Sequence, residues 1–349
     1  MNTRARFRSV SIAAGLLLCA GLLLTAFGSG TASAPQTPRV RTFEFSYKAV
    51  IAEVPEGTKD LRVWLPYPTT DDHQEISGME IVSPVAAHVY REPKYGDSVL
   101  FVDIPHPGKT PIEIEMKFKV RRSEYLKKDY ARYRTVSAGP MDPSLETFLG
   151  PDRLVPIDGR IKTLSNEVTH GKTADLDKVK AIYDYVLANM KYDKSGTGWG
   201  HGDIIYACDA KHGNCTDFHA LFIGLCRAVG IPARFSIGFS IPEQHGEGEI
   251  PGYHCWAEFH LPGYGWVPID ASEAWKHPEK RAYFFGAHDE NRVQFSTGRD
   301  IVLSPAQQGE SLNYFLYPYA EADGKSIQPS IKTLFAFKDL PGETTARGF

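Results

Sequence analysis

The stretch Pro111–Val120, "PIEIEMKFKV", constrains the fold of this chain more than any other. Apolar and charged residues alternate strictly along it, from Ile112 and Glu113 to Lys119 and Val120. A period of two places the apolar side chains on one face of a β-strand and the charges on the other. The stretch therefore predicts a strand in a sheet with one face packed and the other face in water.

Shorter runs of the same kind precede this stretch, beginning near Arg41. They read "FEFSYKA", "LRVWLP" and "SVLFVDI", and turn-forming Pro, Gly and Asp residues separate them. Several short strands with frequent turns are typical of an antiparallel β-sandwich. We therefore predict a β-sandwich domain over residues 35–135.

The pattern changes after residue 140. The segments "DLDKVKAIYDYVLANM" and "TDFHALFIGLCRAVG" place apolar residues at helical spacing. Strand-like segments follow them, among them "RFSIGFSI", "HCWAEFHL" and "WVPIDA". Helices followed by strands, rather than alternating with them, predict an α+β fold. We assign this second domain to residues 140–300 and expect a β-rich C-terminal extension, residues 301–349, to pack on it.

The N-terminal segment, residues 1–34, has the composition of a targeting sequence. Three arginines precede an apolar run from Val10 to Phe27, and small residues up to Ala34 offer a cleavage site. The run is also long enough for an uncleaved membrane anchor. We expect a periplasmic or secreted protein, with the alternative that the segment anchors it.

The charge of the chain argues against two classes of partner. The formal net charge is −3, from 39 basic and 42 acidic residues. Removal of residues 1–34 takes away three arginines and no acid, so the charge becomes 36 − 42 = −6. Such a chain has no basic footprint for nucleic acid or for anionic lipid.

The cysteine of "HGNCTDFH" stands at an unusual position. Cys215 follows Gly213 and Asn214 and opens a predicted helix. Asn214 is a good N-cap, and the N–H groups and dipole of a first turn stabilise an anion. A cysteine placed there can ionise and act as a nucleophile, and the same N–H groups can bind an oxyanion.

A nucleophilic thiolate needs a base and a group that orients it. His254 begins one strand of a predicted hairpin and Asp270 lies on the other strand. Side chains alternate between faces, so the two share a face only if the loop has an odd number of residues or a bulge intervenes. A three-residue loop, Pro262–Tyr264, would pair Leu261 with Gly265 and bring His254 near Asp270.

The cysteines could also have structural roles or bind a metal. Cys215 alone could be an inert structural thiol. Cys226 lies eleven residues further along the same helix, too far for a disulfide to Cys215, and is expected in the core together with Cys255. Cys208 could pair with another thiol.

A zinc site would use the set His212, Cys215, His219 and Cys208, which lacks the paired short spacings of structural zinc sites. We expect no metal and no cofactor.

Three elements together resemble the transglutaminase-like superfamily of cysteine hydrolases, which is papain-like in architecture. They are "GNCTDFHALFIGLCRAVGIPAR", "YHCWAEF" and "GWVPIDAS", in the family's chain order. The resemblance covers residues 160–275 and implies an exported bacterial member. It implies that Cys215 is the nucleophile, His254 the base and acid, and Asp270 the orienting carboxylate.

Four further residues are candidates for substrate or oxyanion binding. They are Trp199, Asn214, Tyr253 and Trp256. Animal members of the superfamily carry calcium sites, and we do not carry calcium dependence over to this chain.

The expected activity is attack on peptide or carboxamide carbonyls of a protein or peptide substrate, with a protease or amidase outcome favoured. A cross-linking transglutaminase and a non-catalytic envelope binding protein that retains the fold are the alternatives. The sequence leaves the oligomeric state open.

Overall fold

The computed structural model describes Met1 and residues 37–108, 110–133 and 142–341. The predicted targeting segment lies outside these residues apart from Met1. The described residues from Pro38 onward form one compact unit. No helix in this described part of the chain is long and apolar enough to cross a membrane.

The strands and helices of the described residues follow in chain order. The strands are β1 (Val40–Ile51), β2 (Asp60–Tyr67), β3 (Gln74–Val82), β4 (Ala87–Arg91), β5 (Ser98–Pro105), β6 (Ile112–Ser123), β7 (Tyr125–Leu126), β8 (Lys191–Tyr192), β9 (His212–Gly213), β10 (Ala233–Ser240), β11 (Glu247–Glu249), β12 (His254–Leu261), β13 (Gly265–Ile269), β14 (Ala287–His288), β15 (Arg292–Thr297), β16 (Tyr319–Ala322), β17 (Lys325–Ser326) and β18 (Ile331–Asp339). The helices are α1 (Tyr130–Tyr133), α2 (Gly159–Val168), α3 (Asp175–Asn189), α4 (Ile204–Ala210), α5 (Cys215–Ala228) and α6 (Ala271–Lys276).

Two five-stranded sheets form the predicted sandwich. Their strand orders are β11-β18-β1-β6-β3 and β17-β16-β2-β5-β4. Along β6 the apolar residues from Ile112 to Val120 are buried and the charged residues between them are exposed or half-buried, so the predicted alternation is confirmed. The buried apolar residues of β6 share one core with Leu61, Val63 and Leu65 of β2.

The C-terminal extension does not simply pack on the α+β domain. Its strand β18 pairs antiparallel with β1, with Phe45 opposite Phe337, and β16 pairs with β2. Both sheets of the sandwich therefore combine strands from the two ends of the described chain. The extension also lies against the α+β part. Asn313 hydrogen-bonds Arg299 and the His201 carbonyl, and β18 pairs with β11.

A third sheet, in the order β13-β12-β10-β15, carries the α+β part, whose mixed class is confirmed. Helix α5 packs on β10 and β12 and is flanked by α2, α3 and α4. Every residue of α5 is buried, including Asp217, His219 and Arg227. The helix that begins at Cys215 is thus the centre of this layer.

An aromatic cluster joins the third sheet to the sandwich. The ring of Phe45 on β1 lies 5.5 Å from Phe118 on β6, 5.3 Å from Phe239 on β10 and 5.6 Å from Phe295 on β15. Aromatic rings bury large apolar areas and gain from tilted contacts at these separations. The sandwich and the site-bearing sheet therefore share one core.

Replacement of Phe45 by alanine is expected to lower the free energy of unfolding by about 3–5 kcal/mol, since it opens a cavity between two sheets. Leu334→Ala is the control, because that side chain on β18 is 52% exposed and its loss should cost less than about 0.5 kcal/mol. Urea unfolding followed by fluorescence measures both. Equal effects of the two substitutions would contradict the shared core.

Candidate active site

The start of α5 is closed by a reciprocal capping box, which confirms the predicted N-cap. Asn214 Oδ1 accepts the N–H of Thr216 at 2.8 Å, and Asp217 Oδ2 accepts the N–H of Asn214 at 2.9 Å. Such a box satisfies N–H groups that a helix start otherwise leaves unpaired. It fixes the direction in which Cys215, the first residue of the helix, leaves the backbone.

Asp217 also holds the glycine-rich loop that precedes α4. Its carboxylate accepts the N–H of Gly200 at 2.7 Å and that of Gly202 at 3.0 Å. Gly202 has a φ of +63°, and a Cβ there would lie 2.8 Å from Thr216 Cγ2. Only glycine meets both conditions without displacing the helix start.

The hairpin β12–β13 has the predicted register. Leu261 pairs with Gly265 and Ala257 with Ile269, so the loop has three residues and the parity requirement is met. Asp270 directly follows β13. His254 Nε2 lies 2.7 Å from Asp270 Oδ2, and both side chains are buried.

Asp270 sits in a set of donors that stabilise its charge. Oδ1 accepts the Ser272 hydroxyl and the N–H of Glu273, both at 3.0 Å, because Asp270 is the N-cap of α6. Arg292 Nη1 lies 3.4 Å from Oδ2. Burial alone would raise the pKa of Asp270, but His254 and Arg292 outweigh it and hold that pKa well below its usual range. The carboxylate is therefore ionised.

His254 and Cys215 interact beside this carboxylate. Burial alone would lower the pKa of His254, but the charge and hydrogen bond of Asp270 raise it to about 10. Because Nε2 is bound to Asp270, Nδ1 is the ring nitrogen left for the thiol. Burial alone would raise the pKa of Cys215, but hydrogen bonds to Cys255 and His254 and the charge of His254 hold it well below its ordinary value. The arrangement favours a thiolate and an imidazolium at neutral pH.

Cys255 is buried in the core, as predicted. It also interacts with the candidate nucleophile, a contact that the sequence did not predict. Its Sγ lies 3.7 Å from Thr216 Oγ1 and 3.7 Å from His219 Nδ1. The face of β12 opposite to His254 is the one on which α5 packs, and this brings the two thiols together.

The two histidines nearest to Cys215 in sequence do not act as its base in this geometry. His219 Nε2 accepts the N–H of Ala271 at 3.1 Å, and burial lowers the pKa of His219, so its ring is neutral. His212 lies against the carbonyl of Asp193 and the hydroxyl of Tyr206. Within the described residues no three His, Cys, Asp or Glu side chains form a cluster suited to a metal ion.

Two of the four candidate binding residues support the helix start. Asn214 Nδ2 donates to the Tyr253 hydroxyl at 2.8 Å, and that hydroxyl lies 2.7 Å from Thr216 Oγ1. Asn214 is thus fully engaged as a cap. Cys215 is the first residue of α5, so its N–H belongs to the first turn, whose N–H groups have no acceptor within the helix. This backbone group is the candidate oxyanion donor.

The two tryptophans differ in their surroundings. Trp199 is half-buried, and its indole N–H donates to the Gly196 carbonyl at 3.2 Å, within its own loop. Trp256 is fully buried between His254 and His288, under the Arg292 guanidinium. Because Trp256 is fully buried, it has no surface that a substrate could contact. Its ring packs against the ring of His254 instead.

Three tyrosines near the thiol were not foreseen. The negative charge of Cys215 contributes, after burial, to raised pKa values of Tyr192, Tyr314 and Tyr317. All three are half-buried, and Tyr314 and Tyr317 pack on Tyr253 with ring centroids at 5.8 and 6.2 Å. Two of them come from the C-terminal extension, whose position beside the site no local sequence signal indicates.

Alkylation of Cys215 by iodoacetamide should be fast at pH 6–7 and slow at least about tenfold in His254→Ala, because the thiolate fraction falls tenfold for each unit by which the pKa rises. Peptide mass spectrometry follows Cys215 and, in the same molecule, Cys208, whose pKa is raised by burial. His260→Ala, on the same strand as His254, is the matched control. An unchanged rate in His254→Ala would contradict the ion pair.

Comparisons with known proteins agree with this fold. Residues 162–271 match the model of the transglutaminase-like superfamily. An uncharacterised protein of Haemophilus influenzae is 28% identical over 351 aligned positions, which cover 89% of this chain and 95% of that protein. The uncharacterised YebA of Bacillus subtilis is 29% identical over 133 positions, 34% of this chain and 18% of that protein.

A solved structure extends the likeness along most of the chain. It is described as a proposed cysteine protease from Cytophaga hutchinsonii and aligns with a TM-score of 0.59 at 16% identity, over 88% of this chain and 93% of that one. At this identity the likeness concerns the fold. Residues 162–271 thus match the core domain of the transglutaminase-like superfamily in sequence, and the fold of the chain agrees with it.

Proposed function

We propose that the protein is a cysteine hydrolase that acts on peptide or carboxamide carbonyls. One observation carries the proposal: a buried thiol at a helix start interacts with His254, whose Nε2 lies 2.7 Å from the buried carboxylate of Asp270. This is the chain of nucleophile, base and orienting group that acyl transfer through a thioester requires.

The first half of the reaction uses the ion pair as it stands. The Cys215 thiolate adds to the carbonyl carbon, and the electron pair of the C=O bond moves to oxygen, where the Cys215 N–H can bind it. His254 then gives its Nδ1 proton to the departing nitrogen as the C–N bond breaks. An amine or ammonia leaves, and the acyl group remains on sulfur.

The second half resolves the thioester. His254, now neutral, takes a proton from water as the water oxygen adds to the carbonyl, and the thiolate leaves with a carboxylic acid as product. Asp270 keeps the ring oriented and stabilises its charge in both halves. An amine in place of water would give a cross-link by the same steps. The Cytophaga hutchinsonii structure is described as a proposed cysteine protease, which supports water as the nucleophile that resolves the thioester.

We also propose that the site works outside the cytoplasm. The support is the arginine-led apolar segment in residues 1–34, with small residues at its end, which has the composition of an export signal.

Product analysis separates hydrolysis from transamidation. A pool of synthetic peptides that contain glutamine is incubated with and without a fluorescent primary amine, and the products are identified by mass spectrometry. We expect hydrolysis products to predominate, either cleaved peptides or peptides in which glutamate replaces glutamine with release of ammonia. These products should vanish in Cys215→Ser. An excess of amine adducts would replace the hydrolase by a transamidase. No turnover of any peptide by protein with a reactive Cys215 would favour a binding role.

The pH profile tests the role of Asp270. In the wild type the imidazolium of His254 is present below its raised pKa and is lost as the pH rises through about 10, which sets the alkaline limb of kcat/KM. Asp270→Asn removes the charge that raises this pKa. We expect the limb to move to lower pH and kcat/KM to fall by about 10²–10⁴-fold.

Asp289→Asn is the matched control for this measurement. Asp289 pairs with Arg292 at 2.7 Å but does not contact His254. An equal shift of the alkaline limb in both variants would mean that Asp270 acts only through the general charge of the region.

A further inference from the structure

Arg122 is a buried guanidinium with unpaired nitrogens. It continues the buried face of β6 beyond Val120 and is 2% exposed. Its Nε and Nη1 have no hydrogen-bond partner within the described residues. Burial lowers the pKa of Arg122 to about 10, so the group still carries its charge at neutral pH. An unpaired buried charge is costly and calls for a partner.

Four other buried arginines differ from Arg122 in having a side-chain hydrogen bond to a protein acceptor, although Nε of Arg292 is unpaired too. Each donates to a carboxylate, an amide oxygen or backbone carbonyls: Arg41 to Asp339, Arg227 to Asp152, Arg292 to Asp289 and Arg299 to the carbonyl of Gly202. The chain thus pairs its buried guanidiniums elsewhere. At Arg122 the missing partner is not supplied by the described residues.

Arg122 lines a cavity of about 410 Å³ between the sandwich and the site-bearing sheet. This is within the size range of small-molecule sites, roughly 300–1,000 Å³. The rings of Tyr125 and Trp266 form part of its wall. Arg234 also lines it, with Nε buried and unpaired while Nη2 donates to Glu258 at 2.8 Å. Two guanidiniums that each have enclosed, unpaired nitrogens therefore line one cavity.

The charges around the cavity are balanced. The lining contains three basic and three acidic side chains: Arg122, Lys127, Arg234, Asp71, Asp72 and Glu258. The two histidines of the lining have lowered pKa values, each through burial and a neighbouring arginine, and are neutral. A phosphate dianion would meet the three acids at close range. A ligand with one carboxylate and one ammonium group matches the lining.

The cavity is separate from the thiol. Glu258 lies four residues beyond His254 on β12, which corresponds to about 13 Å along a strand. Trp256 lies between them, and its ring packs on His288, which lines the cavity. A molecule held at Arg122 would therefore not contact Cys215.

We propose that this cavity, here called the Arg122 cavity, is a second binding site that takes a zwitterionic amino acid or short peptide. The carboxylate of the ligand lies against the planar fork of Arg122, and its ammonium group faces Asp71 and Asp72. A guanidinium binds a carboxylate through two parallel hydrogen bonds, which a point charge does not. The proposal does not depend on what Cys215 does.

Calorimetric titration of the full-length Cys215→Ser protein, which leaves peptides intact, tests this. The probes are L-Ala-L-Ala, its N-acetyl derivative, its C-terminal amide and inorganic phosphate. We expect one equivalent of dipeptide to bind with a millimolar or tighter Kd. Loss of the carboxylate in the amide should abolish binding, and loss of the ammonium group should weaken it. Tighter binding of phosphate than of dipeptide, or no binding of any probe, would overturn the proposal.

Two substitutions locate the binding. Arg122→Met should weaken dipeptide binding at least tenfold, whereas Arg121→Met, the exposed neighbour on β6, should leave it within twofold. A purely structural role for Arg122 predicts that Arg122→Met unfolds more easily, while removal of an unpaired charge predicts equal or greater resistance to urea. If Arg122→Met does not fold, Arg122→Lys keeps the charge without the fork and should still bind at least tenfold more weakly. Unchanged dipeptide binding in these variants would refute the site.

Discussion

The site depends on the hydrogen bonds that the Asp217 carboxylate accepts from the backbone. Buried in the first turn of α5, this carboxylate accepts three backbone N–H groups, from Gly200, Gly202 and Asn214. These bonds join a loop with left-handed glycines to the helix that carries Cys215. A buried carboxylate is tolerated only with such donors, and the donors in turn would be unsatisfied without it. Loop, cap and thiol are therefore placed together by one side chain.

The electrostatics of the site follow from a competition between burial and pairing. Burial alone would neutralise Cys215, His254 and Asp270. Their mutual contacts, with Arg292 behind the carboxylate, reverse this for all three. Charges in a region of low dielectric act strongly on one another, so each group keeps its ionised form because the others keep theirs. The loss of any one of them is expected to affect all three.

Local patterns predicted what depends on local physics. The alternation along β6, the cap at Asn214 and the parity of the β12–β13 hairpin are each set by residues close in sequence, and the structure has all three as predicted. Contacts between distant segments carry no such signal. The approach of Cys255 to Cys215 depends on how α5 lies on β12, and that of Arg292 to Asp270 depends on where β15 pairs. The same holds for the C-terminal strands, since a strand pattern does not identify its partner.

The pairing of β18 with β1 bears on when the protein can become reactive. The first described strand is hydrogen-bonded over most of its length to the last described one, so its edge stays open until residues 331–339 have been made. Phe335 on β18 packs against Phe239 on β10, beneath the sheet that holds His254. Before β18 is made, the nascent chain lacks the strand that pairs with β1. It also lacks part of the core that keeps the imidazole in place. Contacts so distant in sequence form late in folding. We therefore expect the site to take its final form only after β18 has been made and has paired with β1.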